Sequence, residues 1–258
     1  MLAQVHSFVL RGIEAIACEV ETDLADRGMV KTTIVGLPDA SVKESIERVR
    51  SAMINSGFPF PMSRLLVSLA PADLKKEGPV YDLPIAVGLL LASQAIDSQR
   101  HKRLLFAGEL ALDGRLRPIK GAISLAMLGR KMKVEGIVVP LNNAAEAAAA
   151  ADDVNVYPAD SLATVVAFLN GQREIEPVAP LDAEQQIAAA PPDVDFSDIR
   201  GQETAKRALI IAAAGGHNVL MIGPAGTGKT MCAKALPGIL PPLSREEALE
   251  TTCIYSAA

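Results

Sequence analysis

"HNVLMIGPAGTGKTMCAKAL", residues 217–236, is the stretch that decides the fold. Gly223, Gly228, Lys229 and Thr230 fall on the pattern G-x-x-x-x-G-K-[ST]. Val219–Ile222 just before it are apolar and predict a buried parallel strand. Met231–Leu236 have the composition of a helix, which Pro237-Gly238 ends. A strand, a glycine-rich turn and a helix start are the context in which this pattern cradles phosphate.

The chemistry follows from that geometry. Across Gly223, Pro224, Ala225, Gly226, Thr227 and Gly228, backbone N–H groups can converge on phosphate oxygens, and the helix start adds its positive end. Lys229 is expected to reach the β- and γ-phosphates, and the Thr230 hydroxyl to ligate Mg²⁺. Turnover needs more: an acidic residue on the metal, a group that orients water, and an arginine brought from elsewhere. The tail "LSREEALETTCIYSAA", residues 243–258, holds no apolar strand ending in Asp or Glu. The chain is therefore expected to stop inside its nucleotide-binding domain and not to hydrolyse nucleotide alone.

Composition sets the frame around the loop. A length of 258 residues predicts two domains, and 50% hydrophobic residues suffice for a sizeable core. Cys18, Cys232 and Cys253 have no metal or redox spacing, which fits a reducing cytoplasm. His6, His101 and His217 are isolated. "MLAQVHSFVL" lacks the basic leader of a signal peptide, and the longest apolar stretch, Leu83–Ala92, is too short to cross a bilayer; no membrane is expected as a partner. The net charge of −5 sits almost wholly in residues 171–195, with 1 basic and 6 acidic groups, so it bears on nucleic-acid binding in neither direction.

Organisation follows from periodicity. "VHSFVL", "IEAIACEV" and "KTTIVG" predict strands within residues 5–36. "PDASVKESIERVRSAMINSG" predicts a helix with a Ser41/Glu44 capping box, a Gly57 stop, and Val42, Ile46, Val49 and Met53 on its buried face. "RLLVSLAPADL" predicts a strand, and "DLPIAVGLLLASQAI" a buried helix capped by Asp82. Asp113-Gly114 signals a hairpin in "LLFAGELALDGRLRPIKG". Then "VEGIVVP" and "VNVY" predict strands, and "NNAAEAAAAADD" and "DSLATVVAFLNG" helices. Residues 172–195 are Pro- and acid-rich, the composition of a linker. In "DFSDIRGQETAKRALIIAAAGG", Ala205, Ala208, Leu209 and Ala212 are expected to face inward from a helix.

"VGLPDASVKESIERVRSAMINSGF", "SLAPADLKKEGPVYDLPIAVGLLLAS" and "GHNVLMIGPAGTGKTMCAKALPGILPPL" together resemble the ComM (also called YifB) family of magnesium-chelatase-like AAA+ ATPases. The resemblance covers nearly the whole chain. It implies an α/β chain in three parts. Residues 1–171 would form an α+β domain like that of Lon protease, of the ribosomal-protein-S5-domain-2-like fold; residues 172–195 a linker; and residues 196–258 the start of a P-loop AAA+ domain. It further implies ATP and Mg²⁺ as cofactors and a homo-hexameric ring. The family's association with ATP-driven DNA branch migration in recombination and natural transformation implies DNA as a partner. "DIRGQ" resembles the AAA+ segment beside adenine, which makes Ile199, Gly201 and Gln202 candidate base contacts.

Lon-like proteolysis is not expected. The resemblance puts Val80 of "KEGPV" where the serine nucleophile would stand, and Ile123 of "PIKGAI" where the lysine base would stand. Neither side chain can attack a carbonyl or accept a proton. Ser68 and Lys120 lie near these motifs but off the matching positions. Two other functions remain open: a magnesium chelatase subunit, though its motor would begin near "DIRGQ", and a nucleotide-sensing adaptor. Basic residues cluster at Arg100–Arg103, at Arg115, Arg117 and Lys120, and at Arg130, Lys131 and Lys133; such clusters are either a solvated face or a nucleic-acid contact.

Overall fold

The computed structural model describes residues 1–25, 30–179, 194–241 and 243–257. The chain divides into two compact units, Met1–Leu181 with Leu249–Ala258, and Asp182–Ala248.

The first unit is mixed α/β. Its strands are β1 (Leu2–Arg11), β2 (Glu14–Ala25), β3 (Lys31–Val35), β4 (Arg64–Ala70), β5 (Leu104–Phe106), β6 (Glu109–Leu110), β7 (Leu116–Arg117), β8 (Gly136–Pro140) and β9 (Asn155–Ala159). Seven of them form one sheet in the order β3-β4-β2-β1-β5-β8-β9. β1 and β2 make a tight antiparallel hairpin, β4 runs antiparallel to β2, and the remaining neighbours are parallel. The hairpin expected at Asp113-Gly114 is β6–β7, with Gly114 at φ 87° and Asp113 accepting a hydrogen bond from the Arg115 N–H.

Alternation along the strands explains why helices cover both faces, since successive side chains point to opposite sides. Val5, Phe106, Val138 and Tyr157 enter one apolar cluster; Phe8, Leu105, Ile137, Val139 and Val156 enter the other. The first cluster is completed by α1 (Ala40–Asn55), α2 (Asp82–Ala92) and α5 (Leu162–Leu169), the second by α3 (Ala122–Met132) and α4 (Ala144–Ala151). The α1 face expected from spacing is buried at Val42, Ile46, Val49 and Met53. Every residue of α2 is buried.

Two local expectations are corrected, and one helix is added. Asp39, not Ser41, caps α1: its carboxylate accepts the Val42 N–H at 2.8 Å, two residues earlier than the expected N-cap. Asp82 does not cap α2, because its carboxylate is taken by Arg48 and by the Leu110 N–H. α3 had no place in the sequence reading; its N-cap is Gly121, in the left-handed region at φ 77°, which offers no side-chain signal. After α5 the chain stays packed for a while: Ile175 is buried, and the Val178 N–H bonds to the Val156 carbonyl at 2.9 Å on the outer edge of β9. The rest of the expected linker as far as residue 193 lies outside the described residues.

The second unit carries α6 (Glu203–Gly215) and α7 (Lys229–Ala235), joined by the glycine-rich loop. Ile199, Leu209, Cys232 and Ala235 form its small core. Leu209 and Ala212 are buried as expected and Ala205 is half-buried, but Ala208 is exposed and Ala213 takes the inward place. The strand expected over Val219–Ile222 is not formed; Leu220 is 83% and Ile222 87% exposed. A strand needs a neighbour to accept its backbone hydrogen bonds. Among the described residues of this unit there is no strand to provide one.

The last helix, α8 (Arg245–Ala257), places Leu249 and Cys253 in the second apolar cluster of the first unit. No helix among the described residues is long and apolar enough to cross a membrane.

Candidate nucleotide-binding site

The loop Gly223–Thr230 leads directly into α7, and glycine is required at two of its positions. Gly226 at φ 81° and Gly228 at φ 83° both sit in the left-handed region, which side chains with a Cβ rarely adopt. Gly228 is also the N-cap of α7, and its carbonyl accepts the first helical bond, from the Cys232 N–H at 2.9 Å. The sharp turn and the helix start are thus set by the same residue.

Lys229 lies folded onto its own loop. Its ammonium donates to the Gly223 carbonyl at 2.8 Å, to the Pro224 carbonyl at 2.6 Å and to Thr227 Oγ1 at 3.2 Å. Thr227 Oγ1 in turn donates to the Pro224 carbonyl at 3.0 Å. The cation therefore sits within the curve of the loop, and its partners among the described residues are neutral oxygens. A polyphosphate offers it stronger, charged acceptors. Ala225 and Thr230 are exposed beside it. These residues fit a nucleotide polyphosphate: a glycine-shaped turn, a helix start and one lysine that has no carboxylate partner among the described residues. For Mg²⁺ the sequence offers Thr230, and the described residues contain no group of three or more His, Cys, Asp or Glu side chains able to hold a metal by themselves.

The segment expected near the base lies within the same unit. Ile199 is 5% exposed and shares the small core with Cys232 and Ala235 of α7. Gly201 and Gln202 follow at φ 68° and 60°, and Gln202 is the N-cap of α6. The Gln202 side-chain amide donates to the Thr227 carbonyl at 3.5 Å, a long bond that ties α6 to the loop. Sequence spacing gave no sign of this tie, which spans 25 residues.

The first unit has no catalytic dyad at the positions compared with Lon. Val80 is half-buried and Ile123 fully buried, and both pack in the same apolar cluster. Val80, with Tyr81, Ile119 and Lys120, lines part of a cavity of about 580 Å³. Ser68 lies elsewhere, on β4 opposite Glu21. Five of the basic residues marked as possible nucleic-acid contacts form ion pairs within the unit. Arg100 pairs with Glu135 and Glu174, Arg103 with Glu135, Arg115 with Asp113, Arg117 with Glu109, and Arg130 with Asp152. Arg100 also stacks on Phe168, its guanidinium carbon 4.0 Å from the ring centre. These partners lie from two to 74 residues away, which a count of clustered charges does not reveal.

Comparison with known proteins adds the following. A family described as subunit ChlI of Mg-chelatase matches residues 20–143, and one described as magnesium chelatase, subunit ChlI, matches residues 195–258. The chain is 47% identical over 256 residues to the uncharacterized protein YifB of Salmonella typhimurium, covering 99% of this chain and 49% of that protein. It is 44% identical over 256 residues to the competence protein ComM of Haemophilus influenzae, with 99% and 50% covered. It is 45% identical over 261 residues to YifB of Escherichia coli, with 99% and 49% covered. The chain spans about half the length of the curated relatives it matches.

Proposed function

We infer the function from one premise: the chain belongs to the ComM/YifB family of magnesium-chelatase-like proteins. The whole protein is then an AAA+ ATPase that drives branch migration of DNA during recombination or natural transformation. It works as a homo-hexameric ring in the cytoplasm. The observation that carries this reading is a complete phosphate loop in a chain 44% identical, over 99% of its length, to a competence protein.

The share of the work done here is to grip nucleotide. Gly223–Gly228 would cradle the phosphates of ATP, Lys229 would exchange its loop oxygens for them, and Thr230 would meet Mg²⁺. Ile199, Gly201 and Gln202 would face the base. Bound ATP with Mg²⁺ supplies the phosphoryl transfer whose free energy drives the ring. Residues 196–258 are read as the opening part of that AAA+ domain, and residues 1–171 as a Lon-protease-like domain, S5-domain-2-like in fold, that serves as scaffold or binding collar. The apolar packing of Val80 and Ile123 supports a collar that does not cut peptides.

A chelatase reading is favoured by one observation, the description of both matching families as magnesium chelatase subunits. One experiment separates the two. The full-length protein is given a synthetic four-way junction with ATP and Mg²⁺, and strand exchange is followed. Exchange that Lys229→Ala abolishes is the expected result. No exchange, together with ATP-dependent insertion of Mg²⁺ into a porphyrin alongside partner subunits, would move the assignment to chelatase.

A further inference from the structure

We propose that the Thr227 side chain is a positioning element of the phosphate loop: its hydroxyl braces the turn instead of contacting nucleotide. The inference rests on the nucleotide-binding reading above and assigns a role within that site. The Thr227 hydroxyl has one proton to donate, and it goes to the Pro224 carbonyl at 3.0 Å. The bond closes the part of the loop that carries Ala225 and Gly226. Thr227 stands between Gly226 and Gly228, the two left-handed glycines, so the backbone on either side of it is the freest in the loop. Across the turn, a Cβ built on Gly223 would lie 3.5 Å from Thr227 Oγ1, in ordinary contact; the hydroxyl faces the loop's first glycine.

Lys229 does not depend on this hydroxyl for its place, because it keeps the Gly223 and Pro224 carbonyls, both closer than Thr227 Oγ1. What the hydroxyl uniquely supplies is the link from Thr227 to Pro224. Losing it frees the loop between two glycines, and nucleotide must then order that segment on binding. Prior ordering of a binding loop shows up as affinity.

The test uses the full-length protein and titrates Mg-ADP calorimetrically. Thr227→Val keeps the branched shape without the hydroxyl, and its Kd is expected to rise roughly three- to tenfold, the worth of one neutral hydrogen bond. Thr227→Ser keeps the hydroxyl and is expected to stay within about twofold of wild type. The melting temperature without nucleotide should be the same for all three proteins, which separates a loop brace from a general loss of stability. Thr227→Val binding as tightly as wild type, or Thr227→Ser binding as weakly as Thr227→Val, would overturn the brace while leaving the nucleotide site standing. A wild-type protein that does not bind Mg-ADP would overturn the nucleotide reading, and the brace with it.

Discussion

Arg48 grips Asp82 with two bonds, Nε to Oδ2 at 2.7 Å and Nη2 to Oδ1 at 3.0 Å, and so fixes α1 against α2. Asp82 is fully buried; its Oδ2 also accepts the Leu110 N–H at 3.2 Å, which brings β6 into the same junction. Nη2 of Arg48 is shared with the Ser41 carbonyl and with Ser45 Oγ. Asp82 thus takes donors from α1 and β6, between Tyr81 and Leu83 in the sequence.

Removing one member of a buried pair leaves the other charge without its partner, which costs about 3–5 kcal/mol. Asp82→Ala should therefore lower the unfolding free energy of the first unit by about 3 kcal/mol, read from the urea midpoint. The lower end is chosen because the Arg48 side chain is 20% exposed and can draw on water. The double change Arg48→Met with Asp82→Leu should recover part of the loss. Equal stability of Asp82→Ala and wild type would remove the junction from the list of elements that hold α1 to α2.

How much of this is legible in the sequence depends on range. The strands from β1 to β4 were legible because alternation is a local signal, and the buried α1 face because its spacing is helical. Asp82 was misread because its position suits a cap; its actual partner is Arg48, 34 residues earlier. α3 was invisible for want of a capping side chain, and it is held instead by burial of Ile123, Leu125 and Ala126. In the candidate site the glycines and Lys229 are a local motif and could be written down residue by residue. The Gln202–Thr227 tie and the Thr227 brace could not, since both depend on the path of the folded loop. Val219–Ile222 had the composition of a strand, but composition does not supply the neighbouring strand.

Alkaline pH should destabilise the first unit. Burial pushes the Cys18 thiol up to about 12 from an ordinary value of 9.0, and burial raises the Tyr81 phenol as well. In the unfolded chain both groups release their protons earlier, so above the unfolded values the folded state holds more protons. The stabilisation is therefore complete below about pH 9 and is lost as pH rises toward the folded values. The slope should be about −1.4 kcal/mol per pH unit for each group in its window. Urea midpoints at pH 8, 9 and 10 would reveal the fall, and Cys18→Ala should flatten its first part. A midpoint that does not move between pH 8 and 10 would contradict the argument.

The arginines of the β6–β7 hairpin should matter little for DNA. Arg115 bonds Asp113 at 2.7 Å and Arg117 bonds Glu109 at 3.2 Å, so each phosphate contact would have to displace a carboxylate. Arg115→Ala with Arg117→Ala in the full-length protein should change four-way-junction affinity by less than about twofold, and leave the slope of log K against log salt unaltered. A slope shallower by about two units would mean that both residues neutralise phosphates, and would return the hairpin to the DNA interface.

Nucleotide turnover by residues 1–258 alone should be undetectable. Lys229 donates to the Gly223 and Pro224 carbonyls and to Thr227 Oγ1, oxygens of its own loop. Phosphoryl transfer requires an acidic metal ligand and a group that orients water in addition to the loop. The apolar segment before the loop is also unpaired, with Leu220 and Ile222 exposed, so its hold on the loop is weak. Weak or absent Mg-ATP binding follows, and Lys229→Ala should remove whatever binding there is by deleting the phosphate-facing charge. The check is phosphate release by the purified chain, with Lys229→Ala as the control. Steady release that the substitution abolishes would show that the loop and its helix already form a working centre, and would shift the search for the acidic metal ligand to residues within this chain.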